Sequence, residues 1–101
     1  MVGDGPPDFV RELWLEVRSN AVEQAHRAYR SAQAWALDGD PAAWGALVDD
    51  AHQLAGSLGS FGQWEAASAA AALDGRLHGE SPDPLAVVEA AALLCDVLER
   101  T

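Results

Sequence analysis

The stretch LDGDPAAWGALVDDAHQLAGSL, residues 37–58, contains a helix stop, a helix start and a long amphipathic pattern. Asp38-Gly39 ends one helix, and Asp40 followed by Pro41 offers an N-cap and a first helical residue whose missing N–H costs nothing. Apolar residues then recur every three or four positions, as in a helix with one buried face; they are Trp44, Leu47, Val48, Ala51, Leu54 and Leu58. The stretch predicts two helices joined by a short turn.

Similar start and stop signals predict further helices on either side of this stretch. A first helix capped by Asp8 should run to about Leu37, and residues 59–62 (GSFG) are interpreted as a break after the second. An Ala-rich third helix should cover about Gln63 to His78. The predicted apolar positions are Val10, Leu13, Val17, Ala21, Ala25, Ala28, Ala32 and Trp35 in the first helix, and Ala66, Ala70, Leu73 and Leu77 in the third.

Gly79 should end the third helix, and Asp83-Pro84 repeats the start signal for a fourth that runs close to the C-terminus. Its predicted apolar positions are Leu85, Val88, Ala92, Cys95 and Leu98. Four amphipathic helices with short connections predict an all-α fold, an antiparallel four-helix bundle. The Gly- and Pro-rich segment 1–7 is expected to be flexible, which leaves residues 8–101 as the domain.

Composition narrows the class of protein. The chain has 101 residues, enough for one domain, and no apolar run approaches the roughly 20 residues of a membrane span. With no signal-peptide pattern, we expect a cytoplasmic monomer. Sixteen acidic residues against six Arg and no Lys give a formal net charge of −10, which disfavours nucleic acid as a partner. Cys95 is the single cysteine, so it is expected to be a small buried residue.

His52 stands out on the second helix. It lies about 100° from the centre of the apolar face, at the edge of the buried surface. Three glycines and an aspartate project within about 60° of it: Gly45, Asp49, Gly56 and Gly59. Interior glycines weaken a helix by roughly 1 kcal/mol relative to Ala, so this nearly bare strip indicates a surface that a partner approaches closely. Helix capping and close helix packing remain the alternative explanation for the glycines.

An exposed imidazole is a competent nucleophile when a carboxylate holds its other ring nitrogen. Asp49, one turn earlier, is one candidate for that carboxylate. Asp74 is the better one, because it lies about 70° from the apolar stripe of the third helix and the two helix edges can meet. The pattern therefore predicts a His52–Asp74 pair.

The run HQLAGSLGSFG, residues 52–62, resembles the signature of histidine-containing phosphotransfer (HPt) domains, which reads H-x-L-K-G-S, an apolar residue and G. The resemblance extends from the apolar spacing of the first helix to the Leu73-Asp74 pair, which is similar to a Leu-Glu pair in the family. It implies a four-helix bundle that acts as a phosphocarrier in His-Asp phosphorelays and is not an enzyme. His52 would accept the phosphoryl group, Asp74 would orient the ring, and Gly56 would give the donor room.

The resemblance also implies the partners: a response-regulator receiver domain, a hybrid sensor histidine kinase, or both. Any Mg²⁺ would belong to the receiver, so no cofactor or metal is expected on this chain. The sequence departs from the family at Ala55, where a lysine usually follows the histidine. His78, one turn after Asp74, is a partial substitute for that cation. Trp64 is a candidate partner contact; the alternative is that it packs against the end of helix 1 or helix 4.

Two other functions stay open at this stage. Because of Ala55, a degenerate HPt domain could bind a receiver or kinase without carrying phosphate. The spacings Glu23-x-x-His26 and Asp49-x-x-His52 also echo those of metal-binding bundles. His26, however, lies about 140° from its helix's apolar centre, whereas a bundle metal site needs ligands inside.

Overall fold

The computed structural model describes residues 8–79 and 81–101, and these form four α-helices. Helix α1 covers Asp8–Asp38, α2 Pro41–Ser60, α3 Trp64–Leu77 and α4 Pro84–Arg100. The described residues contain no strand, and the predicted all-α architecture is confirmed. The expectation of a flexible segment at 1–7 lies outside the described residues.

The helix ends form where the sequence signals them. The Asp40 carboxylate accepts a hydrogen bond from the Ala42 N–H at 3.0 Å, and Asp83 accepts one from the Leu85 N–H at 3.2 Å. Each aspartate satisfies a backbone donor that the first turn leaves free. Gly39 follows α1 with φ +64° and Gly62 follows α2 with φ +72°, a backbone conformation that costs glycine little.

The four helices pack as an antiparallel square. Each helix contacts two others: α1 packs against α2 and α4, and α3 packs against α2 and α4. At one end the Trp35 and Trp44 rings meet with centroids 4.6 Å apart. Near the other end the Arg18 guanidinium donates to the Leu98 and Glu99 carbonyls at 3.2 Å each, which joins the first part of α1 to the end of α4.

The core combines small residues on α1 with leucines from the other helices. Ala25, Ala28 and Ala32 are completely buried and let the neighbouring helices approach α1 closely. The largest fully buried side chains are Leu47, Leu54, Leu58, Leu73, Leu94, Leu98 and Val87. All the apolar positions predicted for the third helix are buried. This packing fixes the surfaces of α2 and α3 that carry His52 and Asp74.

Some expected helix ends were wrong. Asp8 is the first residue of α1 and not its cap. The break expected at 59–62 begins later, because α2 continues through Ser60 and the chain turns at Phe61 and Gly62. The Phe61 N–H donates to the Ser57 carbonyl and the Gln63 N–H donates to the Leu58 carbonyl. Residues after Gly59 therefore supply the donors for these carbonyls near the end of α2. Gln63 and His78 flank α3 as cap residues.

Two predicted apolar positions were wrong. Leu13 is exposed, whereas Trp14, which also lies near the apolar stripe, is buried and its ring centroid lies 6.0 Å from that of Phe61. Leu85 is exposed, whereas Val87 and Leu94 are in the core. Helix α4 also carries apolar residues outside its buried face, such as the exposed Leu93, so periodicity alone did not separate its buried leucines from its exposed ones. The described residues include no helix with the length and apolarity needed to cross a membrane.

Candidate phosphoacceptor site

His52 lies on the surface of α2 between core residues. Ala51 and Leu54 are buried on either side of it in the sequence, which holds this part of α2 against the bundle. The His52 side chain is 78% exposed. The rigid core thus fixes the backbone of His52 while the imidazole faces solvent.

The predicted carboxylate partner of His52 is in place. Asp74 Oδ2 lies 3.8 Å from His52 Nδ1, and the Asp74 side chain is only 23% exposed. Leu73, the residue before it, is fully buried, so Asp74 is held at the seam between α2 and α3. The separation exceeds a hydrogen bond by several tenths of an ångström. Because Nδ1 faces the carboxylate, the distal nitrogen Nε2 is on the outer side of the ring.

Asp74 contacts a second imidazole. Its Oδ1 atom lies 3.6 Å from His78 Nδ1 and is buried without a hydrogen-bond partner among the described residues. The same His78 nitrogen lies 2.7 Å from the Asp74 carbonyl oxygen, and since a carbonyl only accepts, Nδ1 carries the proton. One carboxylate therefore lies between two histidine rings.

The glycine strip is bare in the folded protein. A Cβ placed at Gly45 or Gly56 would meet no atom within 4 Å, so close packing inside this chain does not explain either glycine. A Cβ at Gly59 would lie 3.8 Å from Cζ3 of Trp64. Gly56, one turn after His52, leaves open space beside the imidazole.

Trp64 is the first residue of α3 and is 67% exposed, so it is not part of the core. Its ring lies over Gly59 at the α2–α3 corner. Gly59 is seven residues after His52, two helical turns along nearly the same face of α2, or about 10 Å. The structure therefore brings an exposed aromatic ring to the end of the surface that carries His52.

Other predicted residues lie apart from the imidazole. Asp49 is exposed and forms no ion pair with His52 in the described part of the chain. Ala55 is half-buried against the core. Among the described residues no arginine pairs with Asp74; Arg27 pairs with Asp50, and Arg100 with Glu65 and Asp96.

A polar seam beside the site was not expected from the sequence. The Gln24 amide on α1 donates to Asp50 Oδ1 at 3.0 Å and to Gln53 Oε1 at 2.9 Å. Asp50 and Gln53 are close to His52 in α2, so Gln24 ties α1 to this part of the helix. No sequence pattern identifies such a pairing, because it joins residues more than 25 positions apart.

The surroundings of His26 do not favour a metal ion. His26 Nε2 bonds Glu99 Oε1 at 2.7 Å, and the surface around it includes Glu23, Arg27 and Arg30. Two guanidinium groups would repel a metal cation. Residues 8–79 and 81–101 contain no group of three or more His, Cys, Asp or Glu side chains that could hold a metal ion.

Cys95 is buried, as expected from its place on an apolar stripe. Burial raises the pKa of its thiol, and the Glu99 carboxylate acts in the same direction. Both effects disfavour the thiolate, which is the nucleophilic form. Cys95 is therefore a core residue and not a reactive one.

One of three comparisons with known proteins found a match. Searches of curated proteins and of solved structures each found no significant match. The family model described as "Hpt domain" matches residues 10–101, from the first turn of α1 to the end of the chain. The match covers all four helices and includes both His52 and Asp74. The chain thus belongs to the Hpt domain family, whose members are helical phosphocarriers of phosphorelays and not enzymes.

Proposed function

We propose that His52 accepts a phosphoryl group from the aspartyl phosphate of a receiver domain and passes it to another receiver. The observation that carries this proposal is the contact between His52 Nδ1 and the half-buried Asp74, at 3.8 Å, on a ring that is 78% exposed. The contact leaves the distal nitrogen free for in-line attack on a phosphorus atom.

In the proposed step, the lone pair of His52 Nε2 attacks the phosphorus while the bond to the receiver's carboxylate oxygen breaks. The receiver regains its carboxylate, and the ring becomes a phosphoimidazole that carries its remaining proton on Nδ1. Asp74 faces that proton, fixes the tautomer and stabilises positive charge on the ring. Such reactions depend mainly on positioning and electrostatics, and the reverse transfer uses the same geometry.

The surface around His52 favours a bulky protein as the phosphoryl donor. Gly45 and Gly56 leave open space along α2, and Trp64 offers an exposed aromatic ring at one end of the strip. Aromatic residues are frequent anchors of protein interfaces. We assign Trp64 to the receiver-docking surface. A divalent metal required by the receiver would be held by the receiver's own acidic residues.

A second function, binding a receiver or kinase without phosphoryl transfer, is favoured by one observation. No arginine of the described residues pairs with Asp74, and Ala55 supplies no charge where the family usually has lysine. A phosphoryl group would then lack a fixed partner of opposite charge.

Phosphoryl transfer from labelled receivers separates the two functions. The protein would be incubated with a panel of phosphorylated receiver domains, and the labelled residue would be identified by mass spectrometry under alkaline conditions. We expect an acid-labile, alkali-stable label on His52 alone. A receiver that binds but never transfers its label would favour the binding-only function, and label on another residue would contradict the assignment of His52.

A further inference from the structure

His78 is part of the site, yet the proposed transfer step does not use it. Both imidazoles contact the same carboxylate, His52 at Oδ2 and His78 at Oδ1. With contacts of 3.8 and 3.6 Å to one carboxylate, the two Nδ1 atoms are at most about 10 Å apart, the Debye length at 0.1 M salt. A charge placed on one ring therefore affects the other.

Phosphorylation of His52 at Nε2 would add up to two negative charges on the outer side of the ring, in a chain that already carries a formal net charge of −10. The ion pairs of Asp74 within the described residues are those with His52 and His78. With His52 as the acceptor, His78 is the remaining side chain at this carboxylate that can carry positive charge.

The position of His78 suits a positive charge. It is the C-cap residue of α3, where the free carbonyls of the last turn attract cations. Its Nδ1–H donates to the Asp74 carbonyl oxygen at 2.7 Å, so a second proton would enter at Nε2. The ring is 62% exposed, and that nitrogen can exchange protons with solvent.

We propose that protonated His78 is the counter-charge that retains the phosphoryl group on His52. The inference rests on the proposed function of His52. Because linkage is reciprocal, a phosphoryl group that favours protonation of His78 is itself stabilised by that proton. The contribution of His78 to phosphate retention on His52 should therefore increase as the pH falls and decrease as it rises. His78 acts through charge and position and takes no part in the bond changes.

Among the described residues, the titratable and charged groups around His78 lie on α2, on α3 and at the start of α4. On α3 these are Asp74, within 4 Å, and Arg76, which a helical step of about 200° places on another side. From α2 the titratable groups are His52, which shares Asp74, and Asp49, an exposed residue one turn before it. On the α4 side Asp83 caps its own helix. Glu80 lies outside the described residues.

The first measurement is an NMR titration of the histidine rings, with the full chain unphosphorylated and then phosphorylated at His52 by a receiver. The added negative charge should raise the protonated fraction of the His78 ring at a given pH, which is read as an upward displacement of its titration curve. His26 is the internal control, because its ring contacts Glu99 on α4 and should not respond.

The second measurement is the equilibrium between phosphorylated receiver and phosphorylated His52, followed from pH 5.5 to 8.5. By linkage, His78→Gln should lower the equilibrium constant for phosphorylation of His52 at low pH by up to about 2-fold, and it should remove the part of the pH dependence that is due to His78. His78→Arg, which is charged throughout, should keep retention high across the range. His26→Gln should match wild type, and circular dichroism would verify that each variant is folded.

The outcomes separate the two proposals. If His52 becomes labelled but its phosphorylation leaves the His78 midpoint unchanged, or if His78→Gln retains the wild-type pH profile, the role of His78 is wrong and the function of His52 stands. If no receiver labels His52 at any pH, both proposals are overturned. Lower phosphate retention in His78→Gln than in wild type, together with high retention in His78→Arg, supports the inference.

Discussion

Within residues 8–79 and 81–101, two pairs of histidine and carboxylate join neighbouring helices, and they differ in which ring nitrogen is engaged. His26 on α1 uses its distal nitrogen Nε2, which lies 2.7 Å from Glu99 of α4. His52 on α2 faces Asp74 through the proximal nitrogen Nδ1 at 3.8 Å. His26 is 41% exposed and His52 78%.

The comparison indicates that two histidines near carboxylates can differ in which ring nitrogen is left free. The tight pair leaves His26 without a free distal nitrogen, and Arg27 and Arg30 crowd the surface beside it. The looser pair leaves His52 Nε2 open, beside the bare backbone of Gly56. Reactivity toward a bulky donor should follow the free nitrogen and the open approach.

The largest effect is expected from removing each ring in turn. His52→Gln should abolish phosphoryl transfer from receivers, because the attacking nitrogen is lost, whereas His26→Gln should transfer at the wild-type rate. Labelled-receiver assays with both variants at equal concentration would measure this. Residual acid-labile label in His52→Gln would reassign the acceptor, and a slow His26→Gln would show that the Glu99 pair matters for the site.

Closing the approach should produce the next largest effect. Gly56→Leu places a branched side chain one turn from His52, and displacing the donor by about 1 Å can reduce transfer by up to about 100-fold. The matched control is Ala46→Leu, which adds a leucine to an exposed position of α2 about 120° from His52. Stopped-flow transfer rates would be compared. Equal rates in the two variants would remove Gly56 from the docking surface.

The same glycine offers a test of stability. Since a Cβ at Gly56 meets nothing within 4 Å, Gly56→Ala should raise the free energy of unfolding by about 0.5 to 1 kcal/mol through helix propensity alone. Urea unfolding followed by circular dichroism measures this. Destabilisation would show that the glycine has a structural role.

A smaller effect is expected from neutralising the two carboxylates. Asp74→Asn keeps the shape but removes the charge that holds the His52 ring, and a loss of about 1.4 kcal/mol in the transition state slows transfer about 10-fold. Glu99→Gln, the equivalent change at the His26 pair, should leave transfer unchanged. Single-turnover rates would test both. Unchanged kinetics in Asp74→Asn would exclude it as the orienting group.

The smallest effect should come from adding a cation. Ala55→Lys can run its methylene stem along α2 and bring its ammonium group toward His52, which should accelerate transfer by less than about 10-fold, because salt screens an exposed site. Ala46→Lys adds the same charge 120° away from His52 and is the control. If Ala55→Lys transfers no faster than the wild type, His78 or the partner already neutralises the phosphoryl charge.

Helix start signals and apolar spacing were sufficient to predict most of the fold. Asp40-Pro41 and Asp83-Pro84 start α2 and α4 as expected, since capping is a local interaction between neighbouring residues. The pairing of His52 with Asp74 was predictable as well, because each residue lies at the edge of an apolar stripe. Local signals failed where apolar residues also lie outside the buried face, as Leu85 does in α4, or where competing interactions decide a helix end, as at Gly59.

Local chemistry and periodicity therefore determined the number of helices, their order, and the identity of an edge histidine with a bare glycine neighbour. Only the tertiary structure decided which ring nitrogen each histidine turns toward its carboxylate, that Asp74 is shared between His52 and His78, and that Gln24 ties α1 to α2 beside the site. The physical reason is distance along the chain: capping and amphipathicity depend on residues within a turn of each other, whereas these contacts join helices whose relative rotation is set by packing of the whole core.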